Sequence, residues 1–522
     1  MNDTLRQSNA PVYETRWILV ITAVSCAMLE LIDATIVNVA LREISGSIGA
    51  TRTEIAWVVT AYSIANVIVI PLSGMLSNLI GRKFYFTGSV ILFTFASLMC
   101  GMSVSLWSLV IWRFIQGLGG GGLLSTGQSI IVGEFPPEKI NTANTIFGLG
   151  IILGPVIGPV LGGFIVDSLS WHWIFFVNIP VGALAAVLSW LYVNNLEGLV
   201  KPRKIDWWGI LFIAIAISTL QYILEEGGEK YWFESTEITI LSIISFIAII
   251  AFIIRELSID YPAVNIRLLA NYNLAMGNGM SLITGAITMG SMFIFPLFVQ
   301  TTLGWTALQT GVFLLYKALA TAVGMVLVGR ALSKGANPKV VMLSGLTMIV
   351  IFLTILSFSS PDSNKAHFII PFIIGGLGNA FLMMPVISLA LGELRGSDLA
   401  QGTGLSNMMK RFGGAIGVAF INIFLNHQNA IARGNMANYV NAYNPLSVEK
   451  IAGYKQAFIA AGYAPDEAKS AAYQAMSQLI TKQQLLVSYD HGFLMVGVVV
   501  LLCIPVILLI RNKKTELKGV AH

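Results

Sequence analysis

The feature that most constrains this chain is a series of long apolar stretches separated by short polar segments. The stretches, bounded by charged residues or by Gly and Pro, fall at 17–40, 53–77, 84–103, 106–128, 141–167, 172–194, 205–224, 236–254, 271–300, 307–330, 339–358, 367–391, 401–426 and 487–510. A helix needs about 20 apolar residues to cross a bilayer. Transmembrane β-barrels need alternating segments instead, and runs such as 496–510 do not alternate. The sequence therefore predicts an all-α polytopic membrane protein with fourteen spans.

The composition and the motifs argue against a soluble enzyme. Charged residues make up 11% of the 522-residue chain, against roughly 25% in soluble domains. A G-x-G-x-x-G spacing at 117–122 lies inside an apolar stretch, whereas a dinucleotide site follows a strand. The sequence holds no P-loop or G-x-S-x-G motif, and its five histidines are scattered. We expect no catalysis, no cofactor, no metal and no nucleic-acid partner.

The distribution of Lys and Arg predicts the orientation in the membrane. With the N-terminus inside, 18 Lys and Arg residues fall in inside loops and tails. The short outside loops hold only Arg42, Arg52, Lys230 and Lys365. Cytoplasmic loops carry the excess of positive charge. Both termini are therefore predicted to face the cytoplasm, which requires an even number of spans.

The spacing of the stretches predicts two six-helix bundles joined by two extra helices. The predicted parts are a cytoplasmic tail (1–16), a first bundle (17–194), two linker helices with flanking loops (195–270), a second bundle (271–510) and a cytoplasmic tail (511–522). Repeated halves are typical of secondary transporters, which bind substrate between them. The second bundle contains a long outside segment, 427–486, which is either a solvated hairpin or a docking surface for a periplasmic partner.

Charged residues at bilayer depth are functional candidates because they are costly to bury. They are Glu30, Asp33, Arg113, Lys317, Lys410 and Arg411. Glu30 and Asp33 share one helix face through their i, i+3 spacing, and Asp33 and Arg113 are predicted at similar depths. Burial disfavours a charged carboxyl group and a nearby arginine favours it. A proton site is predicted, with a static polar link between helices as the alternative.

The other three deep charges leave more than one interpretation open. Lys317 is either a substrate or counter-ion residue, or a side chain that lines a water-filled cavity. Lys410 and Arg411 lie near the cytoplasmic mouth if their helix begins late. A separate pattern, Gly at 150, 154, 158 and 162, makes one flat helix face for close packing, and Pro155 and Pro159 suggest a bend.

Six motifs in this order resemble those of the 14-span drug:proton antiporters of the major facilitator superfamily. They are LIDATIVNVAL at 31–41, GMLSNLIGRK at 74–83, RFIQG at 113–117, GIILGPVIGPVLGG at 150–163, WHWIFFVNIP at 171–180 and NMMKRFGGAIG at 407–417. The long segment 427–486 resembles that of the EmrB-type branch. The resemblance implies a proton-coupled exporter of amphipathic or lipophilic compounds in the bacterial inner membrane, working with a membrane-fusion adaptor and an outer-membrane channel.

The deep charges and the motifs together give expected roles for particular residues, of which the resemblance implies those of Asp33, Arg113, Gln116, Gly154 and Pro155. Those expected in proton coupling are Asp33, Glu30 and Arg113. Those expected to line the substrate cavity are Asn38, Tyr62, Asn66, Gln116, Tyr316, Lys317, Met383 and Asn407. Those expected in gating and in the antiporter helix are Gly74, Asn78, Gly81, Arg82, Gly154, Pro155, Gly158 and Gly162.

Three positions depart from the family pattern. Asn78 stands where an Asp is usual, which weakens an expected charge link, and His172 replaces a common Arg. Tyr316 and Lys317 stand where a Pro is usual, and the added cation shifts the expected substrates toward anionic or zwitterionic amphiphiles. An exporter of an endogenous lipid or siderophore, and a membrane receptor or scaffold that transports nothing, remain the alternatives.

Overall fold

A computed structural model describes residues 16–136, 139–195, 205–228, 230–360, 363–394, 396–441 and 443–510. The predicted tails, apart from Arg16, lie outside these residues. Within them every long element is a helix. The first bundle contains α1 (Trp17–Ile48), α2 (Arg52–Ile80), α3 (Arg82–Gly101), α4 (Leu106–Glu134), α5 (Ile140–Ser168), α6 (Trp173–Phe176) and α7 (Asn178–Tyr192). The last two form one span.

The remaining helices follow the predicted order. The linker helices are α8 (Trp207–Glu226) and α9 (Thr236–Ser258). The second bundle contains α10 (Tyr272–Thr301), α11 (Ala307–Ser333), α12 (Pro338–Leu356), α13 (Lys365–Leu391), α14 (Gly396–Tyr439), α15 (Pro445–Ala460), α16 (Pro465–Leu501) and α17 (Ile504–Leu509). The all-α fold with two six-helix bundles and two central helices is confirmed.

Helix α4 is the least apolar of the spans, and its position explains why. Thirteen segments among the described residues are long and apolar enough to cross a membrane unaided, and α4 is not one of them. It carries Arg113, Gln116 and a run of glycines, and most of its side chains are buried between α2 and α3. A span shielded from lipid by its neighbours does not need an apolar surface, because its polar groups find partners inside the bundle.

Both described ends of the chain lie on one face of the molecule, here called the terminal face. Arg16 precedes α1 and donates to Glu134 at the end of α4, 2.5 Å away. The Tyr272 hydroxyl at the start of α10 donates to the Leu509 carbonyl at the end of α17. Leu19 and Leu274 share one apolar cluster, which joins the two bundles at this face. This pairing of ends fits an even number of spans.

The linker helices cover one of the seams between the bundles. Side chains of α8 and α9, among them Ile213, Ile217 and Phe252, pack in one cluster with Val67 of α2 and Leu405 of α14. The seam between α2 and α14 is therefore backed by protein on this side. On the other side, α5 and α11 pack directly against each other.

The segment 427–486 is helical over most of its described length, so the predicted boundaries at 426 and 487 are wrong as helix ends. Helix α14 continues to Tyr439, α15 follows, and α16 already begins at Pro465. Pro stands in the first turn of α15 and of α16, where its missing N–H costs nothing. An apolar stretch in the sequence ends where the chain leaves the bilayer. The backbone hydrogen bonds of the helix do not need an apolar environment, so the helix continues into water.

Candidate functional site

Asp33 of α1 lies at the centre of a buried polar cluster in the first bundle. Its Oδ2 accepts from Arg113 Nη1 at 2.5 Å, and its Oδ1 accepts from Gln116 Nε2 at 2.9 Å and from Asn178 Nδ2 at 2.7 Å. Asn178 also donates to the Ser97 hydroxyl at 3.0 Å. Helices α1, α3, α4 and α7 therefore meet around one carboxylate. Such a charge is tolerated because several donors replace the water it has lost.

Arg113 is as deeply buried as its partner. The side chains of Arg113 and Asp33 are 1% and 0% exposed. The guanidinium also donates from Nε to the Val58 carbonyl at 3.2 Å, and its Cζ lies 4.0 Å from the centre of the Tyr62 ring. Removing either charge would leave the other uncompensated, which is the costly way to break a buried pair.

Glu30 lies one turn before Asp33 and has a different set of partners. Its Oε1 accepts from Arg411 Nη2 at 2.5 Å and from Asn66 Nδ2 at 3.1 Å. Its Oε2 is buried and has no hydrogen-bond partner among the described residues. Arg411 belongs to α14, so this carboxylate is bound from the other bundle.

Lys410 and Arg411 lie deep in α14 and not near the mouth of the protein. A position near the mouth required a helix that begins late, whereas α14 begins at Gly396. Arg411 is then 15 residues into the helix, roughly 22 Å from that end. Glu30 is 13 residues past Trp17, roughly 20 Å from the same face. The two residues meet because their depths match.

Further polar contacts join the bundles between this pair and the terminal face. Asn407 of α14 donates to Gln128 Oε1 at 3.2 Å and to the Ser125 hydroxyl at 3.4 Å. Ser388 of α13 donates to Asn141 Oδ1 of α5 at 2.6 Å. The terminal half of the bundle interface is therefore closed in this structure.

A small cavity remains inside the interface. Gln128 and Ile151 line it from the first bundle, and Thr284, Met383 and Lys410 from the second. Its volume of ≈ 20 Å³ is comparable with the space that one water molecule needs. Both polar and apolar side chains form its walls.

Comparison with known proteins places this arrangement in a family. The model of the Major Facilitator Superfamily matches residues 23–418. The chain belongs to the major facilitator superfamily. Among curated relatives, the multidrug export protein EmrB of Haemophilus influenzae is 30% identical over 438 residues, which are 84% of this chain and 86% of the relative. The family of transporters and the location, the bacterial inner membrane with many spans, agree with the expectations from the motifs.

Two more proteins extend the comparison. The fatty acid resistance protein FarB of Neisseria gonorrhoeae is 29% identical over 489 residues, which are 92% of this chain and 94% of the relative. The crystal structure of the human organic anion transporter MFSD10 shares the fold with a TM-score of 0.58 at 12% identity, covering 93% of this chain and 99% of that one. At that identity the likeness concerns the fold alone.

The superfamily's loop motif between the second and third spans lies at the terminal face. Arg82 is buried and its Nε donates to the Asn194 carbonyl at 3.1 Å. Asn78 Oδ1 is buried without a hydrogen-bond partner among the described residues. Gly81 has φ +100°, which favours glycine, and a side chain there would meet Asn195.

Gly74, in the same motif, lies at a close approach between α2 and α14 of the two bundles. A side-chain carbon at this position would lie 2.8 Å from Gln401 Cα of α14. Any larger residue would push α2 and α14 apart. The position therefore requires glycine for the terminal half of the interface to close.

The glycine motif at 150–163 packs α5 against α1. A side-chain carbon at Gly154 would lie 2.8 Å from Leu31 Cβ, and one at Gly162 would lie 2.8 Å from Ile36 Cγ1. A side-chain carbon at Gly158 would lie 3.0 Å from the Ile32 carbonyl oxygen. Helix α5 runs without interruption through Pro155 and Pro159. The flat face predicted from the spacing thus adjoins the helix that carries both carboxylates.

The remaining predicted cavity residues lie apart from the Asp33 cluster. Lys317 Nζ is 3.4 Å from the Ser291 hydroxyl and 4.9 Å from the centre of the Phe352 ring. In the described part of the chain no carboxylate lies within ion-pair distance of it. Tyr316 is 39% exposed, and Asn38 is exposed on α1. The structure does not bring these residues together with Glu30 and Asp33.

Sequence reasoning missed two direct partners of the site. Asn178 stands inside the WHWIFFVNIP motif but was assigned no role, and Ser97 stands in an apolar span. Both are polar residues at bilayer depth with small side chains. A search for uncharged polar residues within the spans, rather than for charges alone, would have found them.

Proposed function

We propose that this chain is a proton-coupled antiporter that exports amphipathic or lipophilic small molecules from the cytoplasm. The proton gradient supplies the energy, and no cofactor takes part. The names of the relatives, a multidrug export protein and a fatty acid resistance protein, support export of such compounds. The orientation proposed here places the terminal face in the cytoplasm, in line with the distribution of Lys and Arg.

The observation that carries the proposal is a pair of buried carboxylates on one helix, each bound by a guanidinium. Asp33 is bound by Arg113 of its own bundle, and Glu30 by Arg411 of the other. A carboxylate that loses its cation inside a membrane becomes an uncompensated charge, and protonation removes that charge. Rearrangement of the bundles therefore changes whether a proton is held, which is the requirement for coupling.

The unpaired cations support a preference for substrates that carry a negative group. Lys317 and Lys410 both lie within the second bundle, and no carboxylate neutralises them among the described residues. Lys410 lines the interface cavity beside the apolar side chains of Met383 and Ile151. An anionic or zwitterionic head group would be attracted strongly in such a partly desolvated site.

The helical extension formed by the end of α14, α15 and the start of α16 is proposed to dock a periplasmic adaptor of a tripartite efflux system. It carries exposed apolar side chains, including Tyr439, Tyr443 and Leu446. Amphipathic helices often recognise partners by laying an apolar face against another helix. An outer-membrane channel would complete the export path.

Substrate-induced proton release in proteoliposomes tests the proposal. The protein is reconstituted with a pH-sensitive dye, a proton gradient is imposed, and fluorescent amphiphiles are added. Three head groups are compared: sulfonate, zwitterion and quaternary ammonium. None of them carries a titrating proton at neutral pH, so a proton flux reports the protein rather than the probe.

We expect uphill transport of at least the sulfonate or zwitterionic probe, accompanied by a proton flux in the opposite direction. Liposomes with the Asp33→Asn variant are the control for leak. Uphill transport that persists without a proton gradient, or transport that moves no protons, would refute the antiporter. No transport of any probe by a folded protein would favour a receptor or scaffold.

A further inference from the structure

Among the residues that the structure describes, one ion pair crosses the interface between the two bundles. Five ion pairs are found among the described residues. Four join residues within the first bundle or within the linker hairpin. The fifth, between Glu30 of α1 and Arg411 of α14, joins one bundle to the other.

This pair lies at the inner end of the closed half of the interface. Between it and the terminal face, Asn407 contacts Gln128, and α2 approaches α14 closely at Gly74. The pair therefore lies at the inner limit of the part of the interface that must separate when the terminal face opens. It is also the only ionic contact in that described region that separation must break.

The two partners are solvated very differently. The Glu30 side chain is 0% exposed, whereas that of Arg411 is 28% exposed. When the bundles separate, Arg411 keeps access to solvent and needs no new partner. Glu30 loses a cation and keeps Asn66, while its second oxygen already lacks a partner. The carboxylate is therefore the partner that cannot remain charged.

We propose that Arg411 is a positioning residue that couples protonation of Glu30 to opening of the bundle interface at the terminal face. A charged Glu30 holds α14 through Arg411 and keeps this half closed. A proton arriving at Glu30 neutralises it, the attraction is lost, and α14 is released. This inference rests on the proposed antiport but concerns a conformational equilibrium that can be measured without transport.

The groups around Glu30 identify Arg411 as the cation that responds to opening of the interface. Arg411 faces it from α14, Asn66 and Tyr62 from α2, and Asp33 from its own helix. Lys410 contacts Met383, and Arg113 is paired with Asp33. Helices α5 and α7 also pack against α1, but their described titratable residues lie at their ends, away from Glu30. Asp33 and Arg113 already neutralise each other. Arg411 is therefore the cation whose contact depends on closure.

Disulfide cross-linking across the closed half tests the inference. Asn141→Cys and Ser388→Cys are introduced together, because these side chains are 2.6 Å apart on opposite bundles and belong to neither ion pair. The three native cysteines are buried, and each single-cysteine variant serves as a blank. Cross-linking is measured in full-length protein in lipid at a series of pH values. Because the reactive thiolate fraction itself falls with the pH, each yield is divided by that of a Thr87→Cys and Ser189→Cys pair, whose native side chains are 3.1 Å apart within the first bundle.

We expect strong cross-linking at high pH and a decline as the pH falls in the otherwise native protein. Glu30→Gln and Arg411→Met should lower the closed-to-open ratio about tenfold and remove its pH dependence, since breaking a buried charge pair is costly. Arg411→Lys should retain part of the native closed-to-open ratio and part of its pH dependence, because it keeps the positive charge. Exchange of the charges, Glu30→Arg with Arg411→Glu, should restore closure relative to either single change.

Arg16→Met provides the matched control. It breaks a pair of equal length, 2.5 Å, that lies within the first bundle, and it should leave the cross-linking profile unchanged. An Arg411→Met protein that is folded but keeps the native yield and pH dependence would overturn the inference. Antiport could survive that result, so failure of this inference and failure of the proposed function are distinguishable.

Discussion

Replacement of Asp33 by Asn should lower the stability of the protein and abolish proton-coupled transport, and these two effects can be measured separately. The substitution preserves size and one oxygen acceptor but removes the charge. Arg113, whose side chain is 1% exposed, then becomes a buried cation without a counter-ion. Breaking a buried pair in this way costs about 3–5 kcal/mol. Arg113→Gln should cost a similar amount, because it leaves Asp33 charged and unpaired.

The double variant separates stability from coupling. With both charges removed, two amide side chains replace the pair and can bond to each other and to Asn178. The double variant should therefore be more stable than the sum of the single effects predicts, by about 2–3 kcal/mol. Uphill transport should be abolished in Asp33→Asn and in the double variant, because neither retains a carboxylate at position 33.

Unfolding can be followed with a thiol-reactive dye, since Cys26, Cys100 and Cys503 are all buried. Transport is measured in proteoliposomes with the same preparations. The Arg16 and Glu134 pair, with side chains 39% and 8% exposed, is the matched control. Its double variant should show a coupling of about 0–1 kcal/mol. Additive losses at Asp33 and Arg113, or uphill transport by Asp33→Asn, would refute the reasoning.

Three further predictions concern other parts of the molecule. Lys317→Met should weaken transport of sulfonate and zwitterionic probes about tenfold more than that of cationic probes, because a charge-assisted hydrogen bond is lost; equal losses would make Lys317 structural. Replacing residues 434–482 with a short Gly/Ser linker should preserve transport in vesicles but abolish resistance in cells. If transport and resistance both persist, the extension has no docking role. If both are lost, the extension is part of the transporter's own fold. Gly158→Ala should destabilise by about 1–3 kcal/mol through a clash with α1, whereas Gly163→Ala, which meets nothing within 4 Å, should be neutral; equal effects would contradict the packing argument.

Much of the architecture followed from the sequence by itself. The number and order of the spans depend on apolar length, which the bilayer imposes locally on each segment. The shared face of Glu30 and Asp33 depends on helix periodicity alone. The depth of Asp33 and Arg113 could be counted from the ends of their helices. These properties are local, so neighbouring residues are sufficient to predict them.

The partner of Glu30 was decided by the tertiary structure. Arg411 lies 381 residues away in sequence, and its depth depended on where α14 begins, which hydropathy located five residues too late. The rotation of each span about its axis is set by packing against neighbours, and Asn178 and Arg411 point inward for that reason. The continuation of α14 from residue 427 to Tyr439 likewise could not be predicted from apolar length, because water does not end a hydrogen-bonded helix.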